Sequence, residues 1–123
     1  MRDLRSTAIY LVILICLLLS SCDEVFEQNL NNQSVILDTP TDSLISNNRS
    51  VIFSWNQMDA STLYVLQLAS PGFDSTSSIL LDTTISQNFY LGSLDSGSFQ
   101  WRVRAYNSSS STPFSLPRKL ILQ

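Results

Sequence analysis

Between Phe99 and Tyr106 the chain alternates without a break: Phe99, Trp101, Val103 and Ala105 are apolar, while Gln100, Arg102 and Arg104 between them are polar. A period of two puts the first set on one face of a β-strand and the second on the other, whereas a helix would scatter both around its circumference. This segment therefore reads as a strand with one face packed and one face wet. Two further runs obey the same rule. In Val51 to Trp55 the residues Val51, Phe53 and Trp55 share a face, and in Leu63 to Ala69 the inward set is Tyr64, Leu66 and Leu68. Shorter runs at Val35 to Asp38, Ile79 to Thr84, Asn88 to Leu91 and Phe114 to Leu122 bring the expected strands to seven. They are separated by clusters of Ser, Thr, Asn, Asp, Gly and Pro, and no window sustains an apolar period of 3.6.

Seven short antiparallel strands with packed faces need a second layer, because a single sheet would leave those faces in water. The expected fold is an all-β, seven-stranded antiparallel two-sheet sandwich. An ordered set of residues carries a resemblance: Pro40 after the first strand, Trp55 in the second, Tyr64 opening the third, Leu94 and Gly97 before the sixth, and then Trp101-Arg102-Val103-Arg104-Ala105-Tyr106-Asn107. Together these resemble a fibronectin type III domain, over about Val35 to Leu122. That family usually has a tyrosine where Phe99 stands, and its hydroxyl bonds back to the backbone. Phe99 cannot make that bond, so the corner relies on packing, at a loss of about 1 kcal/mol. Trp55 and Trp101 alternate with inward aliphatics and are expected in the core.

The first twenty-two residues carry a different signal. Arg2 and Arg5 precede an apolar run from Ala8 to Leu19, which is shorter than the roughly 20 residues that a membrane-crossing helix needs. A basic start, a short apolar stretch and small residues at its exit are the parts of a secretory signal. The exit, Leu19-Ser20-Ser21-Cys22, resembles the lipobox of bacterial lipoproteins. In that family cleavage falls between the residues matching Ser21 and Cys22, the cysteine thiol receives a diacylglycerol, and the new amine is often acylated. Cys16 lies within the segment that would be removed, which leaves Cys22 without a disulfide partner. The expected organisation is a lipoprotein signal peptide over 1–21, a flexible tether over 22–33 and the fibronectin type III-like domain over 34–123.

Asp23 and Glu24 follow the cysteine, with Glu27 close behind. The cluster resembles the signal that sends lipoproteins of some Gram-negative bacteria to the outer face of the outer membrane. In other bacteria, Asp after the cysteine marks retention at the inner membrane. Asp42-Ser43-Leu44, Asp74-Ser75-Thr76 and Asp82-Thr83-Thr84 resemble a short O-glycosylation motif of exported proteins, although turn chemistry accounts for the same residues.

Chemistry is thinly provided. The chain has no His, so the usual general base and the commonest metal ligand are missing, and its one retained Cys is the expected lipid site. The acids are mostly single residues at turn positions, so neither a catalytic dyad, a metal site nor a cofactor is expected. Seven Lys and Arg stand against ten Asp and Glu, giving net −3, and a nucleic-acid partner would call for a basic surplus. Once Arg2, Arg5 and Asp3 are gone, five bases and nine acids remain, about −4. Four of those five bases, Arg102, Arg104, Arg118 and Lys119, fall on the last two expected strands. Alternation turns Arg102 and Arg104 outward, and Lys119 joins them if Leu120 and Leu122 point inward. Arg102, Arg104 and Lys119 therefore make a candidate docking face for a partner protein of the cell envelope. A second possibility is a surface glycan held by exposed aromatics among Phe73, Tyr90, Tyr106 and Phe114.

Overall fold

The structure is a computed structural model that describes residues 7–12, 28–59, 62–74 and 78–123. Residues 7–12 are helical. Ser21 and Cys22, with the rest of the proposed cleavage site, lie outside the described residues.

Two sheets face each other. One has three strands in the order β1 (Leu37–Thr39), β3 (Ser50–Trp55), β6 (Phe89–Ser93). The other has five, in the order β2 (Leu44–Ser46), β8 (Arg118–Leu122), β7 (Gly97–Tyr106), β4 (Leu63–Ser70), β5 (Ser78–Ile85). The alternation read from the sequence becomes the core. Phe53 and Trp55 from the smaller sheet meet Tyr64, Leu66, Leu68, Trp101, Val103 and Leu120 from the larger, all of them buried. Edge-to-face aromatic pairs join the layers: Phe53 on Trp101 with centroids 5.2 Å apart, and Trp55 on Tyr64 at 5.6 Å. The Tyr64 hydroxyl accepts a 2.8 Å bond from the Met58 amide, so this inward tyrosine keeps its polar atom satisfied. Phe99 is buried with the rest of the core.

Where the sequence predicts seven antiparallel strands, the structure has eight among the described residues, and one pair is parallel. After β1 the chain crosses to the other sheet, and β2 pairs parallel with β8, Leu44 opposite Leu120 and Ser46 opposite Leu122. β2 is three residues long and flanked by turn formers, with Ser43 at φ +63°, so no local pattern betrays it. The expected strand from Phe114 begins only at Arg118. The segment before it still runs along β7, where the Thr112 and Ser115 amides bond to the Ala105 and Val103 carbonyls.

The described part of the expected flexible tether, residues 28–33, also differs, while 22–27 lie outside the described residues. Leu30 is 0% exposed and belongs to the core. Asn107 holds the segment in place: its Nδ2 donates to the Gln28 carbonyl at 2.7 Å, and its Oδ1 accepts from the Ser109 and Ser110 amides. Ser110 Oγ in turn accepts from the Leu30 amide at 2.9 Å. Residues 28–33 are thus part of the packed unit, latched to the loop that follows β7.

Candidate functional site

The outer face of the five-stranded sheet gathers the expected cations. Register sets Gln67 of β4 between Arg102 of β7 and Asp82 of β5, with Val65 opposite Arg104 and Lys119 of β8 opposite Gln100. Along β7 this gives Lys119 beside Gln100, then Arg102, then Arg104, all on the side away from Trp101 and Val103.

Arg102 is held tightly. Its guanidinium carbon lies 4.1 Å from the Phe73 ring centroid and 4.3 Å from that of Phe114. Its Nε and Nη2 both donate to Gln67 Oε1, at 3.0 and 2.8 Å. Gln67 Nε2 passes the chain on to Asp82 Oδ2 at 3.3 Å. Both rings come from segments outside the sheet. Phe73 follows β4 and is pinned by its amide to Gln100 Oε1 at 2.9 Å. A Cβ at Gly72 would meet that same oxygen at 2.5 Å, so a larger residue there would displace the Gln100 side chain from Phe73. Phe114 precedes β8 on the segment that follows β7. Arg104 is looser, with its guanidinium carbon 5.3 Å from the Tyr106 centroid and 5.6 Å from Phe114. Lys119 is exposed.

This geometry divides the cations by role. Arg102 is a structural stack: ring faces and a neutral amide already occupy its surface. Arg118 is a clamp rather than part of the face. Its Nη1 donates to the Asp38 and Pro40 carbonyls at 2.7 and 3.0 Å, and its Nη2 to the Leu37 carbonyl at 2.9 Å, tying β1 and the crossover to β8. Arg104 and Lys119 remain available to a partner. Among the aromatics, Phe73 and Phe114 are half-buried against Arg102, and Tyr90 packs against the core between the sheets. Asp42 Oδ1 accepts from the distant Lys119 amide at 2.8 Å. The stack was invisible in the sequence because its three members are brought together only by the fold. Among the described residues, no three His, Cys, Asp or Glu side chains gather into a metal-binding group.

Replacing Arg102 with alanine removes two cation–π contacts and two charge-assisted hydrogen bonds. The expected loss is about 2 kcal/mol of folding stability. Urea unfolding of the variant checks this, and an unchanged midpoint would show that the stack contributes nothing.

No protein-family model matches the chain, and no curated protein matches it. Among solved structures it is similar to the FN1–FN3 domains of chicken CNTN1, at 18% identity and a TM-score of 0.54. The match covers 78% of this chain and 35% of that one, so this chain spans about a third of the structure it resembles. The likeness establishes the fold alone: this is a two-sheet β-sandwich similar in fold to fibronectin type III domains.

Proposed function

We propose that the chain is a non-catalytic interaction module of the bacterial cell envelope, lipid-anchored through Cys22 at the outer membrane and facing outward. Its docking surface is the outer face of the five-stranded sheet. The sandwich itself is neutral on this point, since the same architecture serves many roles. The observation that carries the docking reading is the division of labour among the cations. Arg102 builds a rigid platform with Phe73 and Phe114, while Arg104 and Lys119 present charge on an otherwise acidic chain. A partner with a matching acidic patch is the complementary chemistry. The same stacking argues against a sugar platform, because Phe73 and Phe114 already spend ring faces on Arg102.

The test uses Arg104→Glu with Lys119→Glu, which keeps Arg102 with its Gln67 bonds and its closer contacts to Phe73 and Phe114. The double variant should fold as the parent does and lose capture of acidic envelope proteins at low salt, while parental capture weakens as salt rises. Equal capture by parent and variant would dismiss the docking face. A glycan array addresses the carbohydrate alternative, and specific retention of a sugar that survives both charge reversals would favour it.

A further inference from the structure

We propose that the outer face of the three-stranded sheet rests on the lipid bilayer, a reading that depends on the lipid anchor at Cys22. Ile52 of β3 lies opposite Leu91 of β6, and Phe89 is the next residue on the same face of β6. They are exposed by 58%, 66% and 49%, and together form an uncovered apolar cluster. The other outward positions of these two strands are Ser50, Ser54 and Ser93, so neither strand presents a charged side chain on that face. The polar groups at its border are satisfied locally. Thr39 Oγ1 donates to the Ile52 carbonyl at 3.2 Å, and Ser54 Oγ donates to Asp38 Oδ2 at 3.3 Å. Groups already paired lose less on leaving water than free ones do. Asp38, on β1, lies at the rim and is the carboxylate that Ser54 bonds.

The length of chain before the packed unit selects a membrane as the occupant. Cys22 precedes Gln28 by six residues, and a fully extended chain spans at most about 3.3–3.6 Å per residue, roughly 20 Å in all. Gln28 is fastened to Asn107, just past the end of β7. Phe89 lies toward the same end of the sandwich, since the neighbouring Asn88 bonds to Trp55, and Trp55 packs on Tyr64 near the Leu63–Tyr106 pairing. The leash therefore holds this apolar corner within reach of the headgroups. Tethering raises the effective concentration of bilayer at the face, so weak contacts suffice. Resting on this face turns Arg104 and Lys119 away from the membrane.

The experiment uses the full chain, exported, purified in detergent and reconstituted into phosphatidylcholine vesicles. A single thiol is introduced by Ser93→Cys on the apolar face or by Lys119→Cys on the opposite one, and labelled with an environment-sensitive maleimide dye. The probe at 93 should emit at shorter wavelength and be quenched several-fold more strongly by nitroxide-bearing lipids than the probe at 119. Ile52→Asp with Leu91→Asp should abolish that difference. Equal access of aqueous iodide to both positions, stronger lipid quenching at 119, or a blue shift at 93 without nitroxide quenching would each overturn the proposal; the last would mean that protein covers the face. The parent chain separates this from failure of the anchor. An acylated Cys22 thioether cannot take up maleimide, so labelling of the parent together with failure to float with vesicles would remove the anchor, and this proposal with it.

Discussion

Trp101→Ala should cost about 3–5 kcal/mol, the range for truncating a large buried aromatic side chain. A domain of this size has a total stability on the order of 5–15 kcal/mol, so the variant should be marginal at room temperature. The site offers little relief. Trp101 is 0% exposed, sits opposite Leu68 on one side and Arg118 on the other, and reaches across to Phe53 of the opposing sheet. Its neighbours are strand residues held by ladder hydrogen bonds on both sides, so the space it leaves cannot readily close. Trp101→Phe isolates the cause. The buried indole Nε1 has no hydrogen-bond partner among the described residues, so the change to Phe forfeits volume but none of the hydrogen bonds they make. It should cost about 1–2 kcal/mol, less than the alanine change, whose cavity is far larger. Urea unfolding with an unchanged m-value measures both. Equal losses for the two variants would mean that the indole is held by something other than packing.

Trp101 also illustrates what a linear sequence can carry. Its burial followed from alternation alone, a local property, and so did the inward faces of β3, β4 and β7. The two-layer architecture followed in turn, because those faces had to meet something. Features that depend on distant partners did not follow. β2 is stabilised by a parallel neighbour from the far end of the chain, and its own three residues look like part of a turn. Leu30 sits among Asn and Gln residues whose composition indicates solvent, and it enters the core where Asn107 donates to the Gln28 carbonyl and Ser110 accepts from the Leu30 amide, orienting the backbone around it.

The candidate face was legible to the same degree. Period two turned Arg102 and Arg104 outward, and the structure agrees. It could not reveal that Phe73 and Phe114 converge on one of these guanidinium groups, nor that Arg118 turns to two backbone carbonyls of β1 and one of the crossover that follows it. Four cations that look equivalent as a list therefore separate into a stack, a clamp and two available charges. That separation changes the experiment. Reversing Arg102 would damage folding and binding together, whereas Arg104 and Lys119 probe binding by itself.

Cys22→Ala should transfer the protein almost completely from the membrane to the soluble exported fraction. Lipidation is proposed on the lipobox-like Leu19-Ser20-Ser21-Cys22 and on the absence of any disulfide partner for this cysteine after cleavage. Each buried methylene contributes about 0.8 kcal/mol; one acyl chain gives marginal, reversible binding, and two or three together give lasting attachment. Three partly exposed side chains on the smaller sheet cannot replace that anchor. They orient the domain once the lipid has delivered it, and the alanine variant should leave the membrane even with the apolar face intact. Fractionation after an alkaline wash, which strips peripheral proteins, supplies one readout. Mass spectrometry of the N-terminal peptide supplies the second: the parent should carry the added mass of acyl chains on Cys22, and the variant none. Continued pelleting of the variant through the alkaline wash, or a parent peptide of unmodified mass, would end the lipoprotein reading. A variant that pellets before the alkaline wash and is released by it would mean that the apolar sheet face binds membrane without help from lipid.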